Sequence, residues 1–390
     1  MRLKTRKPLP VFGGRLFSVF AENVVQYLKH SHNNEGRRDY LQKVKFETDY
    51  QEGASPEILA LLESSNLEQA SGYGEDPHTS RAKELIRRET GRPESAVYFM
   101  AGGTQTNTAV IKQLLSPCEG VISVSTGHIS VHESGAIEST GHKVITLPGH
   151  DGLLDADDLR EYMAAFTADP TNEHMVQPGM VYVSYSSELG TLYTKQTLSD
   201  IKKVCGDYGL RLFVDGARIG AAVTSEASDM DMRDIAGLCD AFYIGGTKNG
   251  ALLGEAVVFP KPETVNLRHF TTLIKQQGGL LAKGRLIGIQ FEALFTDGLY
   301  YRNARHANSQ AMKIKRAFTE KGIPFLVDSP TNQQFPILTQ SQHEILSAKF
   351  SYETWQPMDN GRLAVRFCTS WATTDEAIDA LTDTIGKLQA

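Results

Sequence analysis

The chain reads as an α/β protein: a mostly parallel sheet flanked by helices, with a smaller α+β domain towards the C-terminus. Three observations lead there. Between Ala96 and Phe259 short apolar runs alternate with helical periods, as when strands return through crossover helices. Most of these runs are continuously apolar, Leu212-Phe-Val214 for example, which suits strands covered on both faces. After about residue 290 the alternation stops. The chain of 390 residues is long enough for two domains. The expected division is 1–45, a basic extension; 46–290, the large domain; and 291–390, the small one.

The elements follow in order. Ser55-Pro56 opens a helix through Ile58, Leu59, Leu61 and Leu62, with serine as the expected cap and proline in the first turn. Gly72 to Pro77 is a tight loop, and Thr79–Thr90 a helix stopped by Gly91 and Pro93. Ala96–Met100 predicts a strand, Gln105–Leu115 a helix, and Val121–Val124 a strand. Lys143–Leu147, Val181–Tyr185, Leu212–Val214, Ala241–Ile244 and Ala256–Phe259 are further strands, with helices at Asp155–Phe166 and Leu198–Tyr208. In the small domain a long helix, Asn303–Lys321, precedes short strands near Phe325–Val327 and Leu363–Phe367, then a helix from Asp375.

Composition excludes several classes. No apolar stretch reaches the roughly 18 residues of a membrane span. Four scattered cysteines without a CxxC pair point to reduced thiols in a cytoplasmic protein rather than to a disulfide framework. A net charge of −6 gives no reason to expect a nucleic-acid partner. The charge is uneven: residues 1–45 hold ten Lys/Arg against three acids, a net of +7, which leaves −13 for the rest. A transit peptide, a basic arm, a weak signal sequence and a plain extension all fit that segment.

The chemistry starts at Lys248, in the glycine-rich turn Gly245-Gly-Thr-Lys-Asn-Gly250 behind an apolar run. Alone, it reads equally as a lysine that binds phosphate, although GxxxxGK[ST] is absent. Asp215, at the end of its own apolar run, changes the balance. A lysine that holds a carbonyl cofactor and an acid that keeps a ring nitrogen protonated are what pyridoxal 5'-phosphate (PLP) requires. Ala101-Gly-Gly-Thr-Gln-Thr106 joins a strand to a helix, where glycines and unpaired N–H groups suit a phosphate. His128 follows another strand and could stack on the ring or serve as a base. His132, four residues on, shares its side if the segment is helical; a metal pair is the competing reading, but HExxH is absent. His174 precedes the strand Val181–Tyr185 and is the alternative base. Arg218 follows Asp215 by three positions and could meet the ring hydroxyl or a substrate carboxylate. Arg366 could grip that carboxylate bidentately.

Taken together the motifs resemble the low-specificity L-threonine aldolases, fold-type-I PLP enzymes of the β-eliminating lyase superfamily. The resemblance runs from Phe46 to the C-terminus. It rests on Tyr73-Gly-Glu-Asp-Pro77, Gly102-Gly-Thr-Gln-Thr-Asn107, Thr126-Gly-His-Ile-Ser130 with His132-Glu-Ser-Gly-Ala136, Glu188-Leu-Gly-Thr191, Asp215-Gly-Ala-Arg218, Gly245-Gly-Thr-Lys248 and Arg366-Phe-Cys-Thr369. It implies cofactor binding by Lys248, Asp215, His128, Gly103, Thr104, Gln105 and Arg218, with Lys275 or Arg285 reaching the phosphate from a neighbouring subunit. It implies substrate binding by Thr48, Arg218, Arg366 and His132, and retro-aldol cleavage with His128 or His174 as base. No metal is implied. It further implies a homo-oligomer, dimer or tetramer, with active sites between subunits. A β-elimination, transamination or racemisation would use the same lysine and aspartate. A regulator that binds nucleic acid through the basic arm is the reading from another class.

Overall fold

The computed structural model describes residues 43–389. The transit-peptide, signal and basic-arm readings concern residues outside the described ones, apart from the last few. Of those, Val44–Lys45 forms β1, paired in parallel with β11 (Phe350–Ser351).

Helix α1 (Pro56–Ser64) has proline in its first turn, but Ser55 does not cap it through its side chain. The Ser55 hydroxyl donates instead to the Gly250 carbonyl at 3.2 Å, and the Ser55 backbone N–H donates to the same oxygen at 2.8 Å. The expected cap thus anchors the loop that carries Lys248. Gly250 has φ +102°, and a Cβ there would come within 2.2 Å of Ser55 Oγ, so only glycine suits both the backbone and the space. Helix α2 (Pro77–Glu89) is capped by Asp76, which accepts from the Thr79 N–H at 2.8 Å.

The central sheet has seven strands in the order β2-β8-β7-β6-β5-β3-β4: β2 (Ala96–Met100), β3 (Glu119–Val124), β4 (Val144–Leu147), β5 (Gln177–Ser184), β6 (Arg211–Asp215), β7 (Ala241–Gly245) and β8 (Glu255–Phe259). All neighbours are parallel except β8, which runs against both β7 and β2. Alternation along each strand feeds two cores. Val181, Val183, Leu212, Val214, Phe242 and Ile244 face one; Met180, Tyr182, Phe213, Ala241 and Tyr243 face the other. Side chains of successive strand residues point to opposite faces, so a sheet covered by helices on both sides needs continuous apolar runs.

Helix α3 (Gly103–Leu114) follows β2, and the short α4 (His128–Val131) follows β3. Beyond the sheet, α5 (Arg285–Phe295) packs on α2, and α6 (Leu299–Glu320) starts four residues before the expected Asn303, behind Gly298 with φ +70°. The strand expected at Phe325–Val327 is reduced to one bridge between Phe325 and Pro336. A third core joins Phe46, Ile314, Phe318, Val365, Phe367 and Ile378 around a small four-stranded sheet in which β13 (Leu363–Cys368) pairs with β9 (Gln333–Gln334), β10 (Ile337–Leu338) and β12 (Glu353–Pro357). Among the described residues no helix is long and apolar enough to cross a membrane.

Candidate active site

Strand direction gathers the chemistry at one edge of the sheet. β3, β5, β6 and β7 end there, and so does β2, because two antiparallel steps through β8 restore its direction. For the same reason β8 begins there: Glu255 pairs with Gly245 of β7 and with Met100 of β2. Ligands in α/β sheets bind beyond the carboxyl ends of strands. A cavity of about 330 Å³ opens at this edge, lined by Gly102, Gly103, Thr104, Asp215 and Lys248, among others. A second cavity, of about 530 Å³, is lined by Thr48, His132, Glu353, Trp355 and Arg366. Tyr50, His128, Glu188, Arg218 and Lys248 line both.

Asp215 is buried, with 4% of its surface exposed. It accepts from Asn107 Nδ2 at 3.1 Å, from the Ala217 N–H at 3.0 Å and from the Tyr182 hydroxyl. Burial alone would raise its pKa; His128 and the surrounding donors reverse that and hold it below the ordinary value. The carboxylate therefore stays charged without solvent. Lys248 is shifted down as well, which for a cation favours the neutral form. Burial and then Arg218 push its pKa down, and Asp49, Asp215 and Glu255 pull only part of the way back. A lowered pKa enriches the neutral amine, the nucleophilic form.

His128 is fixed at two points. Its Nδ1 lies 2.8 Å from Glu133 Oε1, and its backbone N–H donates to Glu188 Oε1 at 2.8 Å. Glu133 is buried and also accepts from Asn107 Nδ2 at 2.8 Å, so Asn107 bridges Glu133 and Asp215. Desolvation lowers the His128 pKa, but Glu133 and Asp215 outweigh it and leave the imidazole above its usual value. His132 ends the same turn, its ring centroid 5.7 Å from that of His128. Desolvation and the charge of His128 keep His132 below the usual value.

Arg218 lines both cavities and is tied to a carboxylate as well. Its Nε and Nη2 donate to the two oxygens of buried Asp49 at 2.6 and 3.0 Å, so that part of the fork is committed inside the protein. Burial opposes the charge on Asp49, yet Arg218 and Lys248 bring its carboxyl from 3.8 to about 2. Arg366 faces the second cavity. The antiparallel register sets it directly opposite Glu353, with which it forms an ion pair. It also donates to Gln333 Oε1 and to the Glu47 carbonyl, both at 3.2 Å, and its guanidinium lies 5.3 Å from the Trp355 ring centroid.

Four of the expected site residues do not line these two cavities. His174 is exposed and lies three residues before β5 begins, whereas the site lies past the far end of that strand, where Ser184 pairs with Asp215. At about 3.3 Å per residue a strand of this length separates its ends by roughly 23 Å. The side chain of Gln105 turns back to accept from the Ala101 N–H at 3.1 Å and to donate to the Gln277 carbonyl at 3.2 Å, which closes the loop rather than facing the cavity. Lys275 sits 4.5 Å from the Tyr73 ring centroid, and Arg285 donates to the carbonyls of Glu68 and Asn66; both were expected to serve a neighbouring subunit. Sequence reasoning missed Asp49, Asn107, Glu133, Tyr182, Glu188, Tyr243 and Glu255. Asp49 through Glu188 include members of the recognised motifs, but spacing does not reveal which of them point inward. Tyr182 and Tyr243 are hidden inside apolar strands.

PLP fits this edge on three structural counts. Asp215 is a buried, ionised partner for a protonated ring nitrogen. Helix α3 opens at Gly102 with no side-chain cap, so its first N–H groups remain for a phosphate beside Thr104. Gly103 leaves room there, since a Cβ would approach the Tyr243 hydroxyl to 3.2 Å.

The comparisons agree with this geometry. Residues 45–341 match the family model described as beta-eliminating lyase. The low specificity L-threonine aldolase of a Pseudomonas species is 29% identical over 346 residues, 87% of this chain and 96% of that protein. A solved structure of a threonine aldolase from Leishmania major is 43% identical, with a TM-score of 0.84 over 89% of this chain and all of that one. An aspartate aminotransferase of Thermus thermophilus, 14% identical with a TM-score of 0.65 over 99% of this chain, shares the fold.

Proposed function

Because the chain belongs to the beta-eliminating lyase family, we propose that it binds PLP and cleaves L-threonine or L-allo-threonine, and related β-hydroxy-α-amino acids, to glycine and an aldehyde. The observation that carries the reading is Lys248. Its amine has a lowered pKa and lines two adjoining cavities, one holding Asp215 and the other Arg366. The likeness to the Leishmania and Pseudomonas aldolases supports threonine as the substrate.

When bound, PLP withdraws electrons from the amino acid's α-carbon and makes a bond at that carbon labile. Lys248 would hold the cofactor through its carbonyl carbon. Asp215 keeps the proton on the ring nitrogen. His128, with its Nδ1 held 2.8 Å from Glu133 Oε1, would lie against the ring. Gly103, Thr104 and the first N–H groups of α3 receive the phosphate. Arg366, with Thr48 beside it, receives the α-carboxylate; the substrate then displaces part of the Arg366–Glu353 pair. His132 stands towards the β-substituent in the second cavity. Arg218 neutralises Asp49 and tunes Lys248. We also assign the chain a homo-oligomeric state, dimer or tetramer, in which Lys275 or Arg285 reaches a neighbouring subunit's phosphate. A cytoplasmic setting accords with the four unpaired cysteines, three of them buried.

The test is direct. The purified protein with PLP gives a visible absorbance that borohydride fixes covalently, and Lys248→Ala abolishes the fixation. With L-threonine it releases glycine and acetaldehyde, and with L-serine it forms no pyruvate. Pyruvate from serine would turn the reading towards β-elimination. A protein that stays colourless after reconstitution would end it.

A further inference from the structure

Arg366 has one charged partner among the described residues, and that partner is internal. Glu353 stands directly opposite it across β12 and β13 and forms its ion pair. The other oxygens on the guanidinium are neutral, the Gln333 side chain and the Glu47 carbonyl, both at 3.2 Å. The register of β12 shifts between Thr354 and Gln356, and a bulge of this kind re-aims a side chain. There the Trp355 ring lies 5.3 Å from the guanidinium. Arg366 is therefore held by Gln333, Glu47 and Trp355 as well as by Glu353. The glutamate has more freedom: its side chain is 43% exposed against 11% for the arginine. Both side chains line the second cavity, as does His132. Glu353 thus lies where a ligand of Arg366 must arrive.

We propose that Glu353 is a specificity residue: it occupies the α-carboxylate's place on Arg366 in the empty site and, once displaced, bars amino acids whose side chain carries a negative charge. This rests on the reading, given above, that Arg366 receives the α-carboxylate. The other cations at the junction are committed. Arg218 is paired with Asp49, and Lys248 is assigned to the cofactor. When a substrate carboxylate takes Arg366, the charge of Glu353 is left uncompensated beside the cavity. Its field already reaches His132, whose pKa desolvation, His128 and Arg366 lower and Glu353 pulls partly back. Two carboxylates about 7 Å apart at an effective dielectric of about 20 disfavour one another roughly 50-fold. The partial exposure of Glu353 cuts that to about tenfold. A neutral β-substituent such as the methyl of threonine meets no such repulsion.

Glu353→Gln tests this in the PLP-loaded enzyme, with dissociation constants for glycine, L-asparagine and L-aspartate read by calorimetry. None of the three has a β-hydroxyl, so none is cleaved by the aldol route. The amide keeps the length of the side chain, and its oxygen can still accept from Arg366. β12 is an outer strand held by backbone pairing, so the fold is retained. The wild type should bind L-aspartate at least about tenfold more weakly than its neutral isostere L-asparagine. In the variant the two come within about threefold of each other. Glycine, which has no side chain to repel, binds the variant about three- to tenfold more tightly, because it no longer competes with an ion pair. A wild type that binds aspartate as well as asparagine, or a variant in which their ratio is unchanged, would overturn the proposal. So would a variant that binds all three more weakly, since Glu353 would then only hold Arg366 in place. Arg366→Lys tests the underlying reading separately: glycine bound as tightly as by the wild type would place the α-carboxylate elsewhere, whatever Glu353→Gln shows.

Discussion

Replacing Asp49 by Asn leaves the guanidinium of Arg218 uncompensated beside Lys248. In the native protein Asp49 pairs with Arg218 at 2.6 and 3.0 Å and accepts from Asn332 Nδ2 at 2.9 Å. Both charges act on Lys248, Arg218 lowering its pKa and Asp49 raising it, so much of their effect cancels. For a unit charge acting over about 8 Å at an effective dielectric of about 20, its removal changes an ionisation by about 2 kcal/mol, or about 1.5 pH units. The lost charge is negative and the titrating group becomes a cation, so the shift is downward. The pH midpoint of the bound cofactor's absorbance should therefore fall by about one to two units. The double variant Asp49→Asn with Arg218→Gln removes both charges and should bring the midpoint back towards wild type. Stability responds too. Breaking a buried pair costs about 3–5 kcal/mol, seen as a lower denaturant midpoint. With the carboxyl at about 2 against 3.8, the pair's contribution is complete above the unfolded value and is lost as pH falls through the folded one. A cofactor midpoint that stays in place or rises would refute the electrostatic reasoning.

Three further outcomes are expected. Glu133→Gln removes the carboxylate on His128 Nδ1, so the raised imidazole pKa falls; the charged imidazole, now present below a value above 6.5, would be lost at lower pH. An unchanged His128 titration by NMR would show that Glu133 does not hold the ring. His174→Ala should leave kcat/KM for threonine within about threefold where the base comes from the same chain, because the residue is remote from that chain's site; a loss near the 10²-fold typical of a base would bring it in from a neighbouring subunit. Arg366→Lys keeps the charge but loses the planar fork. KM for threonine should rise about tenfold or more, the weight of one charge-assisted hydrogen bond, with a smaller change in kcat, and an unaltered KM would place the carboxylate elsewhere.

Much of the fold was open to inspection because its rules are local. Continuous apolar runs at β5, β6 and β7 require cover on both faces, and helical periods between them require crossovers. Lys248 and Asp215 could be paired because each follows its own strand and a parallel sheet sends such positions to one edge. The failures also have causes. Phe325–Val327 has the composition of a strand but meets only one bridging partner, a matter of what lies beside it. Ser55 has the composition of a cap, yet its hydroxyl serves the Gly250 carbonyl, a residue 195 positions away. His174 has usable chemistry at the wrong end of its strand.

By itself, then, the sequence determined the α/β pattern, the lysine–aspartate pair and the glycine turn that opens α3, since strand period, residue chemistry and backbone freedom are properties of short segments. Tertiary structure alone decided which carboxylates count. The antiparallel placement of β8 brings Glu255 to the active edge, the Asp49–Arg218 pair joins residues 169 apart, and Glu188 meets His128 across 60. The strength of a charge depends on its burial and on its neighbours, and both are created only when distant segments close around it.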